Sequence, residues 1–179
     1  MPQLFDFISR QELTFRRWYS QAPYLPQCGA FVATPHARRL LALPAQEQYA
    51  AMQLWRGTLA THSVVVSRKD AVRGSWPPAF ADGASWLRYV PIRLPETLCI
   101  QERLPAGAAG VLLSRFHSSP DLILPVDARE KQMLDEVDGR RSIAAIAETA
   151  GGDESSARTR HLFERLFWYD QVVFDASRS

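Results

Sequence analysis

Asp127-Ala-Arg-Glu-Lys-Gln-Met-Leu-Asp-Glu-Val-Asp-Gly-Arg-Arg-Ser-Ile-Ala-Ala-Ile-Ala-Glu-Thr-Ala-Gly-Gly152 is the stretch that decides how the C-terminal half folds. It contains two helix starts and two helix stops. The Asp127 carboxylate can accept the free N–H groups of a first turn, Met133, Leu134 and Val137 then recur on one face, and Gly139 permits the left-handed stop. Ser142 repeats the start for a second helix with Ile143 and Ile146 inward, and Gly151-Gly152 ends it. Just beyond, Asp153 can cap a third helix whose buried side is Ala157, Leu162, Leu166 and Phe167. Gln171 to Phe174 reads as a closing strand.

Working towards the N-terminus, Asp121-Leu-Ile-Leu-Pro125 precedes these helices. Trp86 to Ile92, Leu98 to Leu104 and Gly110 to Phe116 read as short strands separated by Pro or Gly. Three helices plus strands in this order spell a small winged-helix-like module within residues 86–179. Residues 71–85 carry Gly74, Pro77, Pro78 and Gly83 with little periodicity, which marks a linker. Residues 1–70 form a different region. Pro2 opens a short helix with Leu4, Phe5 and Ile8 on one face, and Leu13 to Tyr19 reads as an aromatic-rich strand. The segment Gln21 to Gly29, with two prolines, reads as an irregular loop. A short helix over Pro35 to Leu41 follows Thr34 as its cap. From Pro44 a longer helix repeats Tyr49, Met52, Trp55 and Leu59 at helical spacing, and Ser63-Val-Val-Val-Ser67 reads as a buried strand.

Composition narrows the function classes. With 46% apolar and 22% charged residues among 179, the chain has the balance of a folded protein rather than a disordered one. No apolar run approaches the roughly 20 residues that cross a bilayer, and no secretory leader pattern opens the chain. The expected location is the cytoplasm, with no membrane partner. Cys28 and Cys99 have no CxxC or CxxH neighbour, so each is expected as a buried free thiol rather than a zinc ligand or half of a disulfide. Arg and Lys stand against Asp and Glu as 8 to 4 over residues 1–70, and as 7 to 11 over residues 127–177. The C-terminal third is acidic, the wrong sign for a phosphate backbone.

Two segments carry resemblances. Thr14-Phe-Arg-Arg-Trp-Tyr-Ser-Gln-Ala-Pro-Tyr24 and Glu47-Gln-Tyr-Ala-Ala-Met-Gln-Leu-Trp-Arg-Gly57 resemble the closing segments of class I S-adenosylmethionine-dependent methyltransferases, from a bacterial group with an extra domain. In that family the last two strands form an antiparallel sheet edge, and the insert between them faces the substrate. The nine glycines include no Gly-x-Gly pair, so the loop that approaches the cofactor is not written here. Leu134-Asp-Glu-Val-Asp-Gly-Arg-Arg-Ser-Ile-Ala-Ala-Ile-Ala147 is similar to winged-helix modules of PqqD-like peptide chaperones, which bind a peptide or protein and perform no chemistry. These resemblances imply an α+β fold class: a partial α/β segment, the methyltransferase C-terminal part, over residues 1–70, plus the winged-helix-like module.

Candidate chemistry is sparse. His36, His62, His117 and His161 show no HxxH, HxH or HExxH pairing, and there is no Gly-x-Ser-x-Gly, so no catalytic, cofactor or metal residue is assigned. If the insert faces a substrate or partner, it offers Gln21, Tyr24, Cys28 and His36; the competing reading packs Tyr24 and Cys28 beneath the loop. Arg158, Arg160 and Arg165 lie on the third helix, where a DNA-reading helix carries its contacts, but Asp153, Glu154 and Glu164 offset them. A protein or peptide partner is expected ahead of nucleic acid.

The functional expectation is a non-catalytic accessory or partner-recognition portion of a methyltransferase-like protein, inactive by itself. A winged-helix transcription regulator binding DNA is one alternative. A split methyltransferase is another, in which S-adenosylmethionine enters only if a second polypeptide supplies the N-terminal half. A homo-oligomer could cover the same open sheet edge.

Overall fold

Pro2–Arg10 forms helix α1, which starts on a proline because the missing N–H has no intrahelical acceptor to lose there. Leu13–Trp18 (β1) follows and pairs antiparallel with Val64–Arg68 (β2), Leu13 opposite Arg68 and Trp18 opposite Val64, with a register shift between Phe15 and Arg17. The computed structural model describes residues 1–71, 78, 80, 83–151 and 157–175. Most of the linker expected over 71–85, and the cap expected at Asp153 with its neighbour Glu154, lie outside them.

Two compact units divide the chain. Met1–Pro77 with His117–Leu122 form the first, and Pro78–Phe116 with Ile123–Ser179 form the second. The segment 117–122, expected with the C-terminal module, therefore belongs to the first unit. The Asp121 carboxylate holds it there by contacts with Arg56 and the Ala30 N–H. The architecture is mixed α+β, and every strand pairing among the described residues is antiparallel.

In the first unit the core is aromatic. Phe5 and Trp18 are buried with Tyr24, and Phe15 and Tyr49 pack against them. Trp18 stacks on Tyr24 with ring centroids 3.9 Å apart, and Phe5 meets Trp18 edge-on. The insert is more regular than expected: Ala22–Tyr24 and Gly29–Ala33 are single tight helical turns. Thr34 ends the second turn instead of capping the next helix, and α2 spans only Ala37–Leu41, with no side-chain cap. Helix α3, Ala45–Arg56, ends where Gly57 adopts φ 64°. Its expected inward row is only partly inward. Met52 is fully buried and Tyr49 half-buried, whereas Trp55 is 53% exposed, and Leu59 reaches the core from beyond the helix. The strand expected to be buried is an edge, with Val65 exposed.

The second unit begins with a tight turn at Ser85–Arg88 where a strand was expected; Trp86 is buried there, and the strand proper is Val90–Arg93 (β3). Thr97–Ile100 (β4), Gly110–Ser114 (β5) and Leu124–Val126 (β6) form a three-stranded meander, while β3 pairs with the last strand, Val172–Asp175 (β7). Helices α4 (Ala128–Asp135), α5 (Ile143–Thr149) and α6 (Ala157–Trp168) follow one another along the chain between β6 and β7. Asp127 caps α4 in a reciprocal box with Glu130, and the Ser142 hydroxyl caps α5. Met133, Leu134, Ile143, Ile146, Leu162 and Leu166 are all buried as their spacing requires. Burying each such side chain contributes about 1.5–3 kcal/mol. Two details differ: Val137 falls beyond the end of α4 and is half-buried, and Ala157 is exposed while Thr159 takes the inward position.

Candidate functional site

The four side chains expected to face a substrate do not converge. Gln21, Tyr24 and Cys28 are buried, Cys28 with no measurable exposure, and His36 alone stands at the surface. The cause is local. The tight turn at Ala22–Tyr24 carries the Tyr24 ring onto Trp18 rather than outward. Its hydroxyl lies 2.7 Å from His62 Nδ1, and His62 Nε2 lies 3.2 Å from the Gln53 amide nitrogen. An amide nitrogen can only donate, so Nε2 accepts and Nδ1–H donates to the Tyr24 oxygen. Burial lowers the His62 pKa, with the positive N-terminus adding to the effect, and burial raises that of Tyr24. Both groups are therefore neutral near pH 7, an arrangement suited to fixing the ring and not to nucleophilic chemistry.

A second polar cluster, invisible to motif reading, surrounds Arg56. Its guanidinium donates to Asp121 Oδ1 at 2.6 Å, to the Pro23 carbonyl at 2.8 Å and to the Cys28 carbonyl at 3.4 Å. Asp121 Oδ2 accepts the Ala30 N–H at 2.9 Å. Burial by itself would raise the Asp121 pKa, but the Arg56 hydrogen bond, the Ala30 N–H and the Arg56 charge outweigh it and hold the carboxyl below its ordinary range. Burial, reinforced by the Arg56 charge, pushes His117 down to about 4. The two side chains pair with each other and otherwise bond backbone of their own unit, the Pro23 and Cys28 carbonyls and the Ala30 N–H, which marks a structural clamp.

On α6 the arginines also have partners within the chain. Arg158 pairs with the Asp127 carboxylate at the start of α4. Arg165 reaches Glu130 Oε1 at 3.0 Å and the Pro125 carbonyl at 2.6 Å. Arg160 has an interaction of its own within the chain.

The chain matches no protein-family model and no curated protein.

Among the described residues, two surfaces present large exposed apolar side chains beside room for another molecule. One is the outer face of the β4–β5–β6 meander. Register puts Leu98 opposite Leu113 and Ile100 opposite Val111, and alternation along β4 turns Leu98 and Ile100 away from the core. They are 37% and 43% exposed, and Ile123, just before β6, is exposed as well. Among the described residues β4 has a neighbouring strand on one side only. The other surface is a groove of about 460 Å³ between α2 and α3, floored by Phe31 and Leu40, walled by Leu43 and Trp55, with His36 and Arg39 on its lining. Sequence reading reached the second surface through His36 alone and missed the first, because the alternation in β4 reports two faces without saying which is covered. No group of three or more His, Cys, Asp or Glu among the described residues is placed to hold a metal. No helix among them is long and apolar enough to cross a membrane.

Proposed function

We propose that this chain is a non-catalytic recognition protein of the cytoplasm, which takes an extended peptide or protein segment along β4. It does so as the accessory portion of a methyltransferase-like protein. The observation that carries the reading is the exposure of Leu98 and Ile100 on an edge strand. An antiparallel sheet with a solvated face places polar residues there, and native edges are defended by charge or proline. This edge has neither defence at Leu98 or Ile100. A segment added beside β4 would gain main-chain hydrogen bonds and lay alternate apolar side chains over that face.

The antiparallel β1–β2 pair supports the methyltransferase-like part of the proposal. The sequence has no Gly-x-Gly loop, so S-adenosylmethionine enters only as the ligand of a polypeptide that supplies one. DNA recognition is disfavoured, since Arg158 and Arg165 are committed to Asp127 and Glu130 and the module is acidic.

Panning a displayed library of short random peptides against the full chain tests the proposal. The expected consensus has apolar residues at alternate positions, and its synthetic peptide loses binding to Ile100→Asp while the far-ultraviolet circular dichroism of that variant is unchanged. Failure to enrich any consensus, or a consensus peptide indifferent to both Leu98→Asp and Ile100→Asp, would overturn it.

A further inference from the structure

We propose that the groove between α2 and α3 is a separate binding site for a small amphipathic anion, an aliphatic chain or ring carrying one carboxylate. Its volume of about 460 Å³ lies in the range of small-molecule sites, roughly 300–1,000 Å³, and its lining is mostly apolar. Phe31 and Trp55 meet edge to face with centroids 5.3 Å apart, so the inner wall is a fixed aromatic corner and not a loose surface. Trp55, Leu43 and the neighbouring Leu54 are nevertheless exposed, and Leu54 is the most exposed large apolar residue described. The helix thus presents apolar area that its own unit leaves uncovered.

Charge selects the head group. The two residues on the lining that can carry charge are His36 and Arg39, both basic, and no carboxylate lines the groove. Arg39 makes no hydrogen bond or ion pair with another described residue, in contrast to Arg56 at the end of α3, each of whose guanidinium nitrogens donates within the chain. A guanidinium beside an apolar hollow recognises a carboxylate by two parallel N–H···O bonds while the rest of the ligand displaces water from the aromatic corner. An uncharged apolar ligand would forgo the first contribution, and a compact polyanion the second.

Octanoate and 1-octanol, titrated separately into the full chain by calorimetry, read the two contributions apart. The expected result is saturable octanoate binding at one site, about tenfold tighter than octanol, because a hydrogen bond to a charged group is worth roughly that factor. Arg39→Gln, an exposed position, should reduce octanoate to the octanol level and leave octanol unchanged. Trp55→Ala should weaken both. No saturable octanoate binding, equal affinity for the two probes in the wild-type chain, discrimination that survives Arg39→Gln, or binding untouched by Trp55→Ala would each overturn the assignment.

Discussion

Arg56 and Asp121, 65 positions apart, meet at 2.6 Å with the Arg56 side chain only 4% exposed. One guanidinium thereby ties α3, the insert and the segment 117–122 into the same unit. Removing one partner of a buried pair leaves an uncompensated charge, which costs far more than the pair contributes. Arg56→Met should destabilise the chain by about 2–4 kcal/mol in urea unfolding. Asp121→Asn should cost a comparable amount, because it leaves the buried Arg56 charge unpaired and turns an amide NH2 towards a donor, Arg56 or the Ala30 N–H. Small losses for both would show that the clamp is not what holds the segment.

Gly29 tests the same contact from the backbone side. It has φ +74°, and a Cβ added there would collide with the Asp121 carboxylate. Gly57 has φ +64° but open space around the same position. Gly29→Ala is expected to cost about 2 kcal/mol or more, and Gly57→Ala about 1 kcal/mol, the backbone contribution alone. Thermal unfolding of the two variants side by side checks the difference.

His117 sets a pH dependence. Both of its ring nitrogens are buried with no hydrogen-bond partner among the described residues, and its folded pKa of about 4 lies below the ordinary 6.5. Between those values the unfolded chain takes up a proton that the folded chain refuses. The stability associated with a neutral His117 is therefore complete above pH 6.5 and is lost as pH falls towards 4, by at most about 3 kcal/mol. Asp121, with its lowered pKa, acts in the same sense at lower pH. Urea unfolding of His117→Phe should show a flatter slope between pH 6.5 and 4 than the wild-type chain. An unchanged slope would contradict the assignment.

Arg165 separates a structural role on α6 from DNA reading. It satisfies Glu130, a buried carboxylate that also accepts the Asp127 N–H at 3.1 Å in the capping box. Arg165→Ala should lower stability by about 2–3 kcal/mol, since it strips the charge partner from Glu130. A DNA-reading role would instead give a stable variant with weakened, salt-sensitive duplex binding.

What the sequence reveals and conceals follows from the range of each interaction. The caps at Asp127 and Ser142 are legible because donor and acceptor lie within three residues, and the inward rows on α4, α5 and α6 are legible because the period is local. The exposed Trp55 is not legible: helical spacing says which residues share a face, but whether anything covers that face depends on distant chain. The same holds for Leu98 and Ile100. Arg56 and Asp121 carry no shared motif at all, so only the folded chain brings them together. Tyr24 and Cys28 stand open in the sequence between facing a partner and packing beneath the loop, and the structure takes the packed alternative, with the Tyr24 ring in the turn Ala22–Tyr24 and Cys28 fully buried.

The most direct test of the central claim is to titrate the peptide consensus obtained by panning into isotope-labelled full chain and record which backbone amides shift. Recognition along β4 predicts that Thr97–Ile100 and the facing residues of β5 shift together and saturate with the peptide. Shifts confined to α6 or to the first unit, with Thr97–Ile100 unmoved at saturation, would contradict it.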